Sequence, residues 1–129
     1  YNRSGLLGVS GVSSDMRALL DSGDSHAHDA IELFTYRIAR ETSALIGSLG
    51  GLDGFVFTAG IGEHAPAIRT AVCRRLAWCG MVLDPVANGN GSERISAHGS
   101  AVEVWAIPTD EEAMIAHHTA EAVGLAAAP

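Results

Sequence analysis

Between His28 and Leu49, apolar residues recur at spacings of three, four and seven: Ile31, Phe34, Ile38, Leu45 and Leu49. That period puts them on one face of a helix, with Arg37, Arg40 and Glu41 largely off the stripe. Gly50-Gly51 supplies the stop, because glycine tolerates the left-handed geometry of a helix end. The period then changes. Gly54-Phe55-Val56-Phe57-Thr58 is a short run of β-formers, suited to a buried parallel strand. It enters Ala59-Gly60-Ile61-Gly62-Glu63, and a second helix follows with Pro66 in its first turn, where proline is tolerated. The apolar face of this helix is Ile68, Val72, Leu76 and Cys79, with Arg69, Arg74 and Arg75 away from much of it. Gly80 ends it.

Weaker patterns fill the rest. Leu6 to Val12 alternates glycine with small and aliphatic residues, as in a short strand or extended turn. Ser13-Ser14-Asp15 resembles a helix start, with serine as cap and the aspartate favourable to the dipole; Met16 to Leu20 is then a short helix and Asp21 to Asp24 a turn. Met81-Val82-Leu83 predicts a brief strand. Asp84 to Ser92 carries proline, glycines and two asparagines and predicts a surface loop. Val102 to Ile107 predicts a second strong strand. After Pro108, Thr109 with Glu112 three residues on has the form of a capping box, opening a last helix through Met114, Ile115, His118 and Ala122. Residues 126–129 are expected to fray. Helix, strand, helix, strand, strand, helix is an α/β order with no internal repeat.

Composition narrows the chemistry. A chain of 129 residues fits one domain. A net charge of −7 argues against nucleic acid as a partner. No apolar run approaches the ~18 residues that span a bilayer. The eight basic residues are all arginines, so a P-loop, which needs its lysine, is excluded. Any phosphate site must use backbone N–H groups, arginine or a metal ion. Cys73 and Cys79 stand about 240° apart around one predicted helix and are expected as free thiols in a reducing cytoplasm. The opening Tyr1-Asn2-Arg3 is neither an initiator nor a signal peptide, as expected of a chain that begins partway through a longer protein.

Three segments can carry chemistry, and each has a plain structural reading beside it. Strand, Gly60-Ile61-Gly62, then helix suits the cradling of phosphate, and equally a tight turn with no ligand. Gly60 to Ala65 also fits a dinucleotide fingerprint, in which Asp84, about 24 residues after Gly60, would take a ribose. Glu111 stands at the carboxyl end of a strand, where a carboxylate can hold Mg²⁺, although the same turn is accounted for as a helix cap. Asp15-Met16-Arg17 is either a cap and short helix or a polar clamp on a base or ribose. His26, His28, His117 and His118 lack the spacing of a helical metal pair and read as solvated, with His64 set apart by its position.

In order, Ser4-Gly5-Leu6-Leu7-Gly8, Gly11 to Arg17, Phe57 to His64, Gly80 to Asp84 and Ile107 to Glu112 resemble acetate kinase over nearly the whole chain. The resemblance implies an RNase H-like, actin-like ATPase domain, of which residues 1–129 form the C-terminal nucleotide-binding lobe. It implies reversible phosphoryl transfer between ATP and acetate, giving acetyl phosphate and ADP, in a cytoplasmic homodimer joined largely through this lobe. Asp15, Met16 and Arg17 match the stretch that contacts adenosine. Gly60, Ile61, Gly62, Glu63 and His64 match the loop that holds adenosine and phosphate, and Glu111 matches the Mg²⁺-binding glutamate. The resemblance favours the functional readings of Arg17 and Glu111 and demotes the dinucleotide reading of Asp84. Propionate and butyrate kinases share these motifs. Ala59, His64 and Asp110 depart from the family's frequent Gly, Asn and Asn. The catalytic aspartate, a metal-binding asparagine, the acetate-binding arginines and a phosphate-stabilising histidine belong to the family's N-terminal portion and have no counterpart here. The chain alone is therefore expected to be nearly inactive, a nucleotide-binding or dimerisation module with an incomplete sheet.

Overall fold

The computed structural model describes residues 4–124. Its elements, in order, are α1 (Gly5–Ser10), α2 (Met16–Leu20), α3 (Ser25–Leu49), β1 (Gly54–Phe57), α4 (Ala59–His64), α5 (Pro66–Arg75), α6 (Pro85–Asn90), β2 (Glu103–Ala106) and α7 (Glu111–Ala122), with a 3₁₀ turn at Ala77–Cys79. The tail expected to fray lies outside the described residues.

β1 and β2 pair in parallel, Gly54 opposite Glu103 and Phe57 opposite Ala106. The far edge of β2 is covered by residues 93–96, through Ile95 N–H to the Val104 carbonyl at 2.8 Å and Ala106 N–H to the Glu93 carbonyl at 2.7 Å. Among the described residues nothing pairs with the other edge of β1. The main core joins Phe57 and Val104 of the strands to Ile68, Val72, Cys73 and Leu76 along α5, with Met81, Ile95 and Val102 beneath. A smaller cluster of Leu19, Ala27 and Ala30 fastens α2 to α3. That fastening sets the Asp15–Arg17 segment beside the main core.

Several expectations change. Leu6 to Val12 is no strand: residues 5–10 are helical, and Gly11, at φ 65°, ends the turn with its N–H on the Leu7 carbonyl at 2.8 Å. Its glycines suggested extended chain, yet one turn backed by α3 is enough to hold a helix. α3 starts earlier than the stripe implied, because the Asp24 carboxylate caps it at His26 N–H (2.8 Å). The buried positions on α3 are Ala27, Ala30, Thr35, Ala39 and Ile46, while Leu45 and Leu49 stand exposed. Small side chains sit at the contact because they let neighbouring backbones approach; the larger Ile31, Phe34 and Ile38 pack on its flank, half-buried. Thr35 buries its hydroxyl by bonding back to the Ile31 carbonyl at 3.0 Å.

Residues 81–83 make two isolated bridges, Met81 to Val102 and Leu83 to Ser96, in place of a strand. Gly80 precedes them at φ 87°, where a Cβ would lie 2.6 Å from that of Ala101. The supposed surface loop after Asp84 is the helix α6. Asp84 caps it, accepting from Val86 N–H (2.8 Å) and Ala87 N–H (3.1 Å), and Pro85 starts it. The N-cap of α7 is Asp110, which accepts from Ala113 N–H at 2.8 Å, so no Thr109–Glu112 capping box forms. α2 is likewise capped by Asp15, not by serine (Arg17 N–H to Asp15, 2.8 Å). Cys73 and Cys79 are free, as expected. No helix among the described residues is long and apolar enough to cross a membrane.

Candidate functional site

The site grows from the end of β1. After Thr58 the chain turns through Ala59 at φ 60°, the one non-glycine residue with positive φ among those described. A left-handed alanine costs about 1–2 kcal/mol, and it swings the chain straight into α4. What was expected as an open glycine loop is therefore a six-residue helix, broken at Ala65 and followed by Pro66 at the start of α5.

Arg69 holds α4 in place. Expected away from the apolar face, it is instead only 2 % exposed. Its Nη1 donates to the Gly62 carbonyl (2.8 Å) and the Glu63 carbonyl (2.7 Å), the orphaned acceptors at the end of α4. Nε and Nη2 donate to the side-chain and backbone oxygens of Asn88 on α6, each at 2.7 Å. Asn88 in turn donates to the Pro66 carbonyl (3.1 Å) and the Thr70 hydroxyl (3.0 Å). Burial pulls the Arg69 pKa down, with nearby Cys73 opposing. The guanidinium still carries its charge, balanced by carbonyl dipoles. The signal for it in the sequence is slight: Arg69 follows Ile68 and precedes Val72 by three, on the flank of the buried face.

Two adjoining cavities open beside α4. One, of about 300 Å³, is lined by Ser14, Asp15, Met16, Arg17, Gly60, Ile61, His64 and Ala65. The other, of about 440 Å³, is lined by Ala59, Gly60, Glu63, His64 and the turn Thr109 to Glu112. Gly60 and His64 belong to both. The fold thus brings together three segments remote in sequence. Arg17 lines the first cavity with an exposed side chain, its Nε 3.9 Å from Asp15 Oδ1. Met16 lines that cavity but is 4 % exposed and mainly a core residue. Gly62 lines neither of the two; a Cβ there would stand 3.3 Å from the Phe57 carbonyl carbon, so it is glycine to let α4 lie on β1. At Gly60 a Cβ would meet nothing within 4 Å, and its backbone is not left-handed.

Glu63 has a separate task. Its Oε1 accepts from both the N–H and the hydroxyl of Thr109, each at 3.0 Å. The Thr109 N–H is the main cause holding its carboxyl below the usual range, with partial burial opposing. No feature of the sequence announces this contact. Glu111 is exposed, and its carboxylate makes no hydrogen bond or ion pair among the described residues. No trio of His, Cys, Asp or Glu gathers into a metal cage there. An uncommitted carboxylate on a cavity wall, with Glu112 next to it, nonetheless fits Mg²⁺, which takes one or two carboxylates and fills its shell with waters and phosphate oxygens.

Asp84 lines neither of these cavities, and its carboxylate is committed to capping α6. The strand beside β1 is β2, not the Met81–Leu83 segment. The dinucleotide reading fails on both counts. His26, His28, His117 and His118 are exposed, as expected of solvated side chains.

The sequence profile of the Acetokinase family matches residues 1–117. The chain belongs to the acetokinase family. Among its acetokinase relatives, the acetate kinase of Rhodopseudomonas palustris (strain TIE-1) is 62% identical over 120 residues, covering 92% of this chain and 30% of that protein. The acetate kinase of Rhizobium meliloti is 50% identical over 119 residues, again 92% and 30%. The crystal structure of Porphyromonas gingivalis acetate kinase superposes with a TM-score of 0.83 at 40% identity, over 94% of this chain and 32% of that one. A propionate kinase from Francisella tularensis superposes with a TM-score of 0.81 at 39% identity, over 88% and 30%. The chain thus spans about 30% of the length of its acetokinase relatives, and its α/β architecture is part of their actin-like ATPase fold.

Proposed function

We propose that this chain forms the nucleotide side of an acetate kinase, which moves a phosphoryl group reversibly between ATP and acetate to give acetyl phosphate and ADP. The observation that carries the reading is the convergence of Arg17, Gly60, His64 and Glu111 on two adjoining cavities. In this reading adenosine occupies the first cavity, with the Arg17 guanidinium on the base, and the phosphates run past Gly60 and His64 into the second. Glu111, there, would be the residue of this chain that holds a Mg²⁺ ion, which would supply charge neutralisation for phosphoryl transfer. An acetate oxygen forms the new bond to the γ-phosphorus while the bridging bond to ADP breaks. The groups that would hold acetate and orient that attack find no place in these residues. Transfer at a useful rate therefore needs the remaining two thirds of an acetokinase, and the isolated stretch is expected to be nearly inactive, in a homodimer or alone.

The test is acetyl phosphate formation by the intact protein, together with calorimetric titration of ATP with and without Mg²⁺. We expect turnover with acetate, lost on Glu111→Ala. An intact protein that turns over no short-chain acid would refute the reading. A second reading, a propionate kinase, draws on the near-equal superposition of the Francisella enzyme. Comparison of kcat/KM across formate, acetate, propionate and butyrate decides between the two.

A further inference from the structure

The second cavity is walled by α4 and the turn Thr109 to Glu112, and one carboxylate, that of Glu63, ties these two walls together. Oε1 of Glu63, on α4, grips Thr109 twice, by backbone N–H and by hydroxyl. Thr109 stands two residues before Glu111, in the turn between β2 and α7. Little else restrains that turn. α7 buries none of its residues; Met114 and Ile115 are 57% and 66% exposed. The Asp110 cap bonds only within α7 itself. Behind Glu63 the support is firm, because buried Arg69 holds the Gly62 and Glu63 carbonyls and is itself held by Asn88 on α6.

We propose that Glu63 is a positioning residue: it clasps Thr109 to α4 and so fixes where the Glu111 carboxylate stands relative to the nucleotide phosphates. The inference rests on the nucleotide reading above and reassigns Glu63 within it. Although Glu63 lies in the motif that the resemblance assigns to adenosine and phosphate, its side chain is 14% exposed and already engaged, so it acts through Glu111 rather than on the ligand. Groups hydrogen-bonded directly to a ligating side chain typically account for roughly 10–100-fold in metal affinity; Glu63 acts one link further out, through Thr109, so the low end of that range is expected.

The experiment is calorimetric titration of the intact protein with ATP, with and without Mg²⁺, in wild type, Glu63→Ala, Glu63→Gln and Thr109→Val, with thermal melts of each. Glu63→Ala is expected to weaken ATP binding in the presence of Mg²⁺ by roughly 10-fold, and to leave metal-free ATP binding within about 2-fold. Glu63→Gln keeps an oxygen that accepts from both Thr109 donors and should restore most of the loss. Thr109→Val keeps the N–H and removes the hydroxyl, and should fall between. Equal weakening with and without metal, or a Gln variant as poor as the Ala variant, would overturn the clasp, since either means that the carboxylate acts directly. Unchanged variants would overturn it too. Should Glu63→Ala fail to fold, Glu63→Gln and Thr109→Val carry the same comparison. A folded wild type that binds no ATP would instead overturn the nucleotide reading, and the proposed role of Glu63 with it.

Discussion

Gly60 and Gly62 stand two residues apart on α4 and differ in what their missing side chains make room for. At Gly62 the protein itself fills the space, since a Cβ would press on the backbone of Phe57 at 3.3 Å. At Gly60 nothing of the protein lies within 4 Å, yet the residue borders both cavities. Gly60→Ala should therefore leave stability unchanged or raise it by about 0.5–1 kcal/mol, the usual gain of alanine over glycine in a helix. The added methyl should weaken ATP binding by roughly 10-fold, as a close-packed contact forced apart by about 1–3 kcal/mol would. Gly62→Ala should do the reverse, lowering stability by about 1–2 kcal/mol with a smaller effect on the nucleotide. Paired melts and titrations check this; a Gly60→Ala variant that binds as well as wild type would mean that no ligand approaches there. At this scale the motifs singled out Arg17, Gly60 and Glu111, and the fold sets all three on the walls of the two cavities. The sequence was not legible where polarity misleads. An arginine in a helix reads as solvated, and only the carbonyls of α4 and Asn88, brought together by folding, explain why Arg69 is buried. Glu63 and Thr109 meet across 46 residues, which no local pattern encodes.

Among elements, α5 touches α3, α4 and α6. It contributes Ile68, Val72 and Cys73 to the core and Arg69 to α4 and α6, and Arg75 reaches Glu32 on α3. Cys73 gives this packing a measurable signature. Burial pushes its thiol up to about 12, from an unfolded value near 8.5. Because the folded value is the higher, the contribution is fully present below the unfolded pKa and is lost as pH rises towards 12. Wild-type stability should fall through the alkaline window from about 9 to 12, by up to roughly 1.4 kcal/mol per pH unit from this group. Cys73→Ala starts from a lower stability, because it opens a small cavity, but should lose this part of the slope. Denaturant melts at pH 8, 9 and 10 compare the slopes directly, and identical slopes would mean that the thiolate is accommodated. α3 and α5 were legible from periodicity, since each is long enough to impose a period, and β1 and β2 from their runs of β-forming residues. α1 and α6 were not. Their six residues are too few for a helical period, and their glycines and asparagines read as loop until Asp84 and the neighbouring packing define a helix.

At the scale of the whole molecule, one edge of β1 has no strand beside it among the described residues. A parallel strand bonded on one side leaves alternate N–H and C=O groups on the other without partners. Here that edge lies beside an apolar groove formed by Phe34, Ile38, Phe55, Val56, Ile61 and Ile68, in which Val56 is 50% exposed. Bare strand edges next to apolar surface invite pairing with another chain, and folded proteins cover them. The acetokinase relatives are about three times as long as this chain, which leaves ample sequence to supply a further strand. The expected outcome is a contrast in amide exchange. In the intact protein the β1 amides that point away from β2 should be protected as strongly as those bonded to it. In the isolated 129-residue stretch they should exchange rapidly, and the stretch should aggregate at concentrations where the intact protein does not. Replacing Val56 with lysine should improve the solubility of the isolated stretch, because a charge on an edge strand opposes pairing, while destabilising the intact protein, where that side chain would be buried without a partner. Equal exchange of both sets of β1 amides in the intact protein would mean that this edge stays open, and that α3 and α5 alone hold the sheet on which α4 and the nucleotide cavities are built.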